Sequence, residues 1–227
     1  MKIGILQTGY APDALRDAGD YPDMFISILA GHGFAFETYR VVDMEFPDSV
    51  RSCDGYVITG SRHGAYEDHE FIAPLERFIR DAFDAGVPQA GICFGHQIMA
   101  QALGGKVEKF KGGWSVGPTE YQVGDQTVLL NAWHQDQVVE LPPGAKTFAS
   151  SPFCQYAGLS YGNKAWSVQP HPEYDSKFIQ GLIDHRGRGL VPDQLQDVAE
   201  DRLAQPVDSA RIADQIAAFL KAAHHAA

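Results

Sequence analysis

Between an apolar run and a helical pattern lies Gly91-Ile92-Cys93-Phe94-Gly95, the feature that most constrains how this chain can fold. Val87 to Ile92 reads as a buried strand, and Phe94 to Leu103 as a helix that stops at Gly104-Gly105. A Gly-x-Cys-x-Gly turn between them has the spacing of a strand–turn–helix nucleophile elbow, with cysteine as the projecting residue. Such a turn sits at the carboxyl edge of an open α/β sheet, where ligands of these folds bind. The helix start favours thiolate over thiol, and thiolate is the attacking species. The backbone N–H of Phe94 can meet a developing oxyanion, and a second donor would come from another strand-end loop, where Gly60 stands. Most free cysteines are small core hydrophobes. That is the reading for Cys53 and Cys154, which lack these flanking glycines.

The elements around the elbow alternate. Lys2 to Leu6 and Gly55 to Ile58 read as short buried strands, and Phe34 to Val42 as another. A helix is predicted over Pro22 to Gly31, with Met24, Phe25, Ile28 and Leu29 on one face. A second covers Phe71 to Ala85, with Phe71, Leu75, Phe78, Ile79 and Ala82. The acidic run Glu67-Asp68-His69-Glu70 is expected to cap that second helix. Alternation of this kind implies a parallel sheet with right-handed crossovers, flanked by helices. Residues 106 to 170 change character and read as short strands, clearest at Val128 to Leu130 and Ala165 to Val168. Helices return near 176 to 185 and 209 to 223, and residues 186 to 208 read as a loop excursion. One α/β domain over residues 1 to 227 is the economical expectation.

Composition narrows the function classes. The 227 residues are 44% hydrophobic and 21% charged, enough for one sizeable core, and the net charge is −11. An acidic chain without a Lys/Arg block is not expected to bind nucleic acid or anionic membranes. The start, MKIGILQTGY, lacks the features of a signal peptide, and no window has transmembrane length. Three cysteines with no CxxC pair fit a reduced, cytoplasmic setting.

A cysteine nucleophile needs a base, and the base needs an orienting group. Of nine histidines, the one in Pro170-His171-Pro172-Glu173 follows an apolar strand and has a carboxylate two residues on. Glu173 can approach the imidazole and hold its tautomer. The same residues would also suit a plain surface turn.

Together, Gly-Ile-Cys-Phe-Gly-His-Gln and the later His-Pro-Glu, 78 residues apart, resemble the class I glutamine amidotransferases, with Ile58-Thr59-Gly60 preceding them in the family's order. The resemblance covers about residues 2 to 175. It implies a flavodoxin-like fold, an open, mostly parallel sheet flanked by helices with extra antiparallel strands in the second half. By position, Cys93 resembles the nucleophile, His171 the general base and acid, and Glu173 the orienting carboxylate. Gly60 and Phe94 resemble the oxyanion-hole residues. Gln97 matches a substrate-contacting glutamine, and Ser115, Val116 and Gly117 a segment whose backbone holds the α-amino-acid end of the substrate. His134, in Trp133-His134-Gln135-Asp136-Gln137, matches a segment that shapes the pocket and is assigned a structural role.

The implied activity is hydrolysis or transfer of a γ-glutamyl amide through a thioester. Ser61-Arg62-His63-Gly64-Ala65-Tyr66 departs from the family by lacking a second glycine soon after Gly60, and its bulk resembles stand-alone members, including γ-glutamyl peptidases. The competing expectations are a glutaminase subunit serving a separate synthetase and a non-catalytic protein on the same fold. No P-loop, nucleotide or flavin fingerprint is present, so no cofactor is expected. His63, His69 and His96, with Asp68 and Glu70, show no tight ligand spacing, so no metal site is expected. Trp114, Trp133 and Trp166 are expected to pack or to wall a pocket.

Overall fold

The computed structural model describes residues 1–226. Its strands are β1 (Lys2–Leu6), β2 (Ala35–Tyr39), β3 (Gly55–Ile58), β4 (Gln89–Ile92), β5 (Lys106–Lys109), β6 (Ser115–Val123), β7 (Gln126–His134), β8 (Asp136–Glu140), β9 (Lys146–Ser150), β10 (Gly158–Tyr161) and β11 (Ala165–Val168). Its α-helices are α1 (Tyr21–Ile28), α2 (Ile72–Asp84), α3 (Phe94–Ala102), α4 (Ser176–Leu182), α5 (Asp193–Arg202) and α6 (Ser209–Ala226). Nine strands form one sheet in the order β2-β1-β3-β4-β11-β10-β9-β6-β7, and β5 pairs with β8 separately. From β2 to β11 the neighbours are parallel, and from β11 to β7 they are antiparallel. The fold is therefore α/β, with the expected parallel half and an antiparallel extension.

β1, β3, β4 and β11 lie inside the sheet and are buried almost throughout, which explains their continuous apolar runs. One face packs on α2 and α3 through Leu75, Ile79, Ile98 and Met99. The other packs on α1 and α6 through Phe25, Ile212, Ile216 and Leu220. α1 starts at a capping box, in which Asp20 and Asp23 each accept from the other's backbone N–H. A third cluster joins Tyr21, Trp133, Tyr174, Ile179 and Leu182, and it covers the carboxyl edge where the parallel strands end.

Two expectations need correction. Residues 186 to 208 are not simply a loop, because they contain α5. Its buried positions are only Gln196 and Ala199, so it carries no apolar stripe that periodicity could reveal. The acidic run does not cap α2. That helix starts after Phe71 with no side-chain cap, and Glu67 instead bonds His69 at 2.8 Å.

Candidate active site

The elbow forms as the glycines require. Cys93 joins β4 to α3 at φ 53° and ψ −102°, in the left-handed half of the map where a non-glycine residue is strained. A Cβ on Gly95 would run into the Ile58 carbonyl oxygen, and one on Gly91 into Met99 and the Gly95 backbone. Cys93 N–H donates to Val168 O at 2.9 Å and Gly95 N–H to Thr59 O at 3.1 Å, tying the turn to both neighbouring strand ends. Phe94 is the first residue of α3, so its N–H belongs to the turn that no intrahelical acceptor satisfies.

β11, parallel to β4, delivers the second motif to the same edge. His171 N–H donates to Asn131 O at 2.8 Å, and Asn131 Nδ2 donates to Tyr174 O at 2.8 Å, so β7 clamps the segment from both ends. His171 Nδ1 lies 2.7 Å from Glu173 Oε1, both side chains being fully buried. This bond directs Nε2 away from Glu173. Burial by itself would push the His171 pKa down, but the charges of Cys93 and Glu173 raise it above the ordinary imidazole range. The Tyr174 ring stacks on the imidazole, centroids 3.9 Å apart and nearly parallel at 7°. A Cβ on Gly60 would sit 3.1 Å from His171 Cε1 and 3.8 Å from Cys93 Cβ. Gly60 thus borders both groups, and Thr59 and Thr8 hydroxyls donate to its carbonyl at 3.0 and 3.1 Å.

Cys93 and His171 open on a pocket, whereas Gly60, Phe94 and Glu173 are not among its lining residues. Cys93, Gln97, His171, Trp114, Trp133 and His134 line it, and Arg62, Lys109 and Arg186 stand at its walls. Gln97 Nε2 donates to Asp136 O at 2.8 Å and to Gln169 Oε1 at 3.1 Å. His134 is buried and held neutral, its pKa pushed down to about 3 by desolvation and then by the nearby His171. His96 points away into the core, where Nδ1 meets Ser167 Oγ at 2.8 Å. Trp166 is likewise a core residue, stacked on Phe148.

Ser115, Val116 and Gly117 are not among the lining residues; Trp114, directly before them, is. Their positions in β6 pair with His134, Trp133 and Ala132. Gly117 has φ +72°, and a Cβ there would lie 2.6 Å from Ala199 Cβ, so this glycine lets α5 approach β6. Sequence reasoning missed Gln169, whose Nε2 lies 3.5 Å from Cys93 Sγ, and also Tyr174 and Tyr21. Gln169 and Tyr174 flank the His-Pro-Glu motif, and that adjacency was the available signal.

A cysteine turn at the end of β4 and a buried His–Glu pair after β11 thus meet at one edge of an α/β sheet. The sequence profile described as glutamine amidotransferase class-I matches residues 26–180. The chain belongs to the class I glutamine amidotransferase family. It is 33% identical to gamma-glutamyl peptidase 4 of Arabidopsis thaliana over 192 residues, covering 75% of this chain and 74% of that protein. It is 32% identical to a glutamine-hydrolyzing GMP synthase of Cupriavidus pinatubonensis over 174 residues, 63% of this chain but 30% of that one. A glutamine amidotransferase structure from Methylobacillus flagellatus superposes with a TM-score of 0.77 at 20% identity, covering 98% of this chain and 94% of that chain. Among the described residues, no helix is long and apolar enough to cross a membrane.

Proposed function

We propose that this protein hydrolyses, or transfers, the γ-glutamyl group of a γ-glutamyl peptide or amide through a thioester on Cys93, with His171 and Glu173 completing a triad. The observation that carries this reading is the buried 2.7 Å His171–Glu173 pair beside a cysteine held at positive φ. Cys93 thiolate attacks the γ-carbonyl carbon, forming the S–C bond and moving the carbonyl electrons onto oxygen. The N–H groups of Gly60 and Phe94 stabilise that oxyanion. On collapse the C–N bond breaks, and the departing nitrogen takes its proton from His171 Nε2. Water then attacks the thioester, gives its proton to His171, and glutamate leaves as the thiolate returns. Glu173 holds the imidazole tautomer and balances its positive charge.

Gln97 and the backbone at Ser115, Val116 and Gly117 serve the glutamyl end of the substrate in this reading. A peptide-like substrate is supported by the wall charges. In a chain of net charge −11, Arg62, Lys109 and Arg186 outnumber the two carboxylates, Glu67 and Asp136, that line the same pocket, a balance suited to substrate carboxylates. The identity to a gamma-glutamyl peptidase over three quarters of the chain points the same way. Three free, buried cysteines suit a reduced cytoplasmic compartment.

The second reading, a glutaminase subunit feeding a separate synthetase, is favoured by the likeness to the GMP synthase of Cupriavidus pinatubonensis. Glutamate release by the purified protein from glutamine, glutathione and γ-glutamyl anilide separates the two. Turnover of γ-glutamyl peptides that vanishes in Cys93→Ala supports the stand-alone enzyme. Silence on all three, with Cys93 still alkylated rapidly by a glutamine-like electrophile, supports the subunit.

A further inference from the structure

Beside the active-site mouth, the loop after β3 brings together two imidazoles and a carboxylate that the proposed chemistry does not use. We infer that His63, Glu67 and His69 form a binding site for a divalent transition-metal ion of the zinc type. One ligand atom from each lies within 4.8 Å of the others. His69 Nε2 is 2.8 Å and His63 Nδ1 3.8 Å from the same oxygen, Glu67 Oε2. Around tetrahedral zinc, with bonds of about 2.0–2.1 Å, neighbouring ligand atoms stand about 3.3–3.4 Å apart. The two separations from Glu67 bracket that spacing, and the ligand atoms of the two imidazoles lie within 4.8 Å of each other, so side-chain rotation that draws the rings together would seat an ion between them.

The donor set fits the metal, since imidazole nitrogen with one carboxylate is a zinc-type combination and three protein ligands leave a fourth position open. The loop is also fixed by its own backbone: Glu67 N–H donates to Gly64 O at 3.0 Å and Ile72 N–H to His69 O at 3.0 Å. Phe71 packs against both imidazoles, 6.0 Å from His69 and 5.8 Å from His63. A simple surface ion pair needs only one histidine and contributes little. It gives no reason for a second imidazole ring 4.1 Å from the first, converging on the same oxygen. His63 and Glu67 line the active-site pocket, so the open position is available to water or to an anionic group of a molecule bound there.

The test is a Zn²⁺ titration by calorimetry of the Cys93→Ser protein, which lacks the competing active-site thiol, with Co²⁺ absorption as a second readout. The expected result is one ion per chain and a visible d–d spectrum of tetrahedral type. Glu67→Gln and His69→Ala should each weaken binding by on the order of 100-fold or more, beyond the loss typical of an outer-shell change. Both side chains are partly exposed, at 45% and 38%, and Glu67→Gln keeps the shape of the residue. His224→Ala should leave the affinity unchanged. No Zn²⁺ binding by the Cys93→Ser protein, or affinity unchanged in Glu67→Gln, overturns the inference.

Discussion

The two halves of the sheet divide the labour differently. The parallel half places the proposed nucleophile by backbone constraint, with Cys93 at positive φ between two glycines whose added Cβ atoms would meet neighbouring backbone. The antiparallel half makes no comparable turn. It supplies Asn131, which clamps the His171 segment, and the Trp133 and His134 walls. Position at the elbow is therefore set by close backbone approach to the adjoining strand ends, whereas the His171 segment and the walls depend on pairing with β7.

After loss of Cys93 itself, the largest expected effect comes from Glu173. Glu173→Gln keeps the shape of the side chain but changes the donor and acceptor pattern at His171 Nδ1. The turnover number should fall by on the order of 10³–10⁴ while the melting curve stays close to the parent. A small loss would mean that β7 and Tyr174 orient the imidazole without the carboxylate. Next is Gly60→Ala, whose Cβ would press on His171 Cε1 at 3.1 Å. Disturbing the adjacent oxyanion donor should cost on the order of 10² in the turnover number.

Two glycine variants sharpen the contrast in stability. Gly95→Ala meets the Ile58 backbone carbonyl, which cannot move aside, and should destabilise the fold by about 3 kcal/mol or more. Gly117→Ala meets Ala199 Cβ at 2.6 Å and Cα at 3.0 Å and places a side chain at φ +72°, so relief needs α5 to move as a unit, and about 1–3 kcal/mol is expected in chemical denaturation. Equal losses would deny the difference in rigidity between the two halves.

The smallest effect per step is on pH. Burial lowers the pKa of both His96 and His134 to about 3, against about 6.5 in the unfolded chain. Below pH 6.5 the unfolded state therefore binds more protons, and stability falls as pH drops toward 3. The slope should be about 1.4 kcal/mol per pH unit for each histidine, read from denaturation midpoints. His171 is shifted upward, so it opposes this slope near pH 6.5 and drops out below about pH 5.5, where it is protonated in both states. His134→Gln should reduce the slope by about half of the histidine contribution.

What the sequence disclosed follows the same division. β1, β3, β4 and α2 were legible because burial on both faces, or on one helical stripe, writes itself into apolar spacing. The elbow was legible because its glycines answer a local steric demand. α5 was hidden, since it packs through Gln196 and Ala199 while Leu195 and Val198 remain exposed. Gln169 and the His63–Glu67–His69 cluster were hidden for another reason. Their partners lie across the sheet or across an irregular turn, and no fixed spacing marks such contacts. Gly117 carries a packing role, beside any part in substrate binding, that only the approach of α5 explains.

The proposed chemistry turns on a covalent step at Cys93. Acid quenching during turnover of a γ-glutamyl peptide, followed by mass spectrometry of the Cys93 peptide, tests it most directly. The expected result is one γ-glutamyl group on that peptide, none on those containing Cys53 or Cys154, and no turnover by Cys93→Ala. Glutamate release that persists in Cys93→Ala, with no adduct on the wild-type peptide, would contradict it.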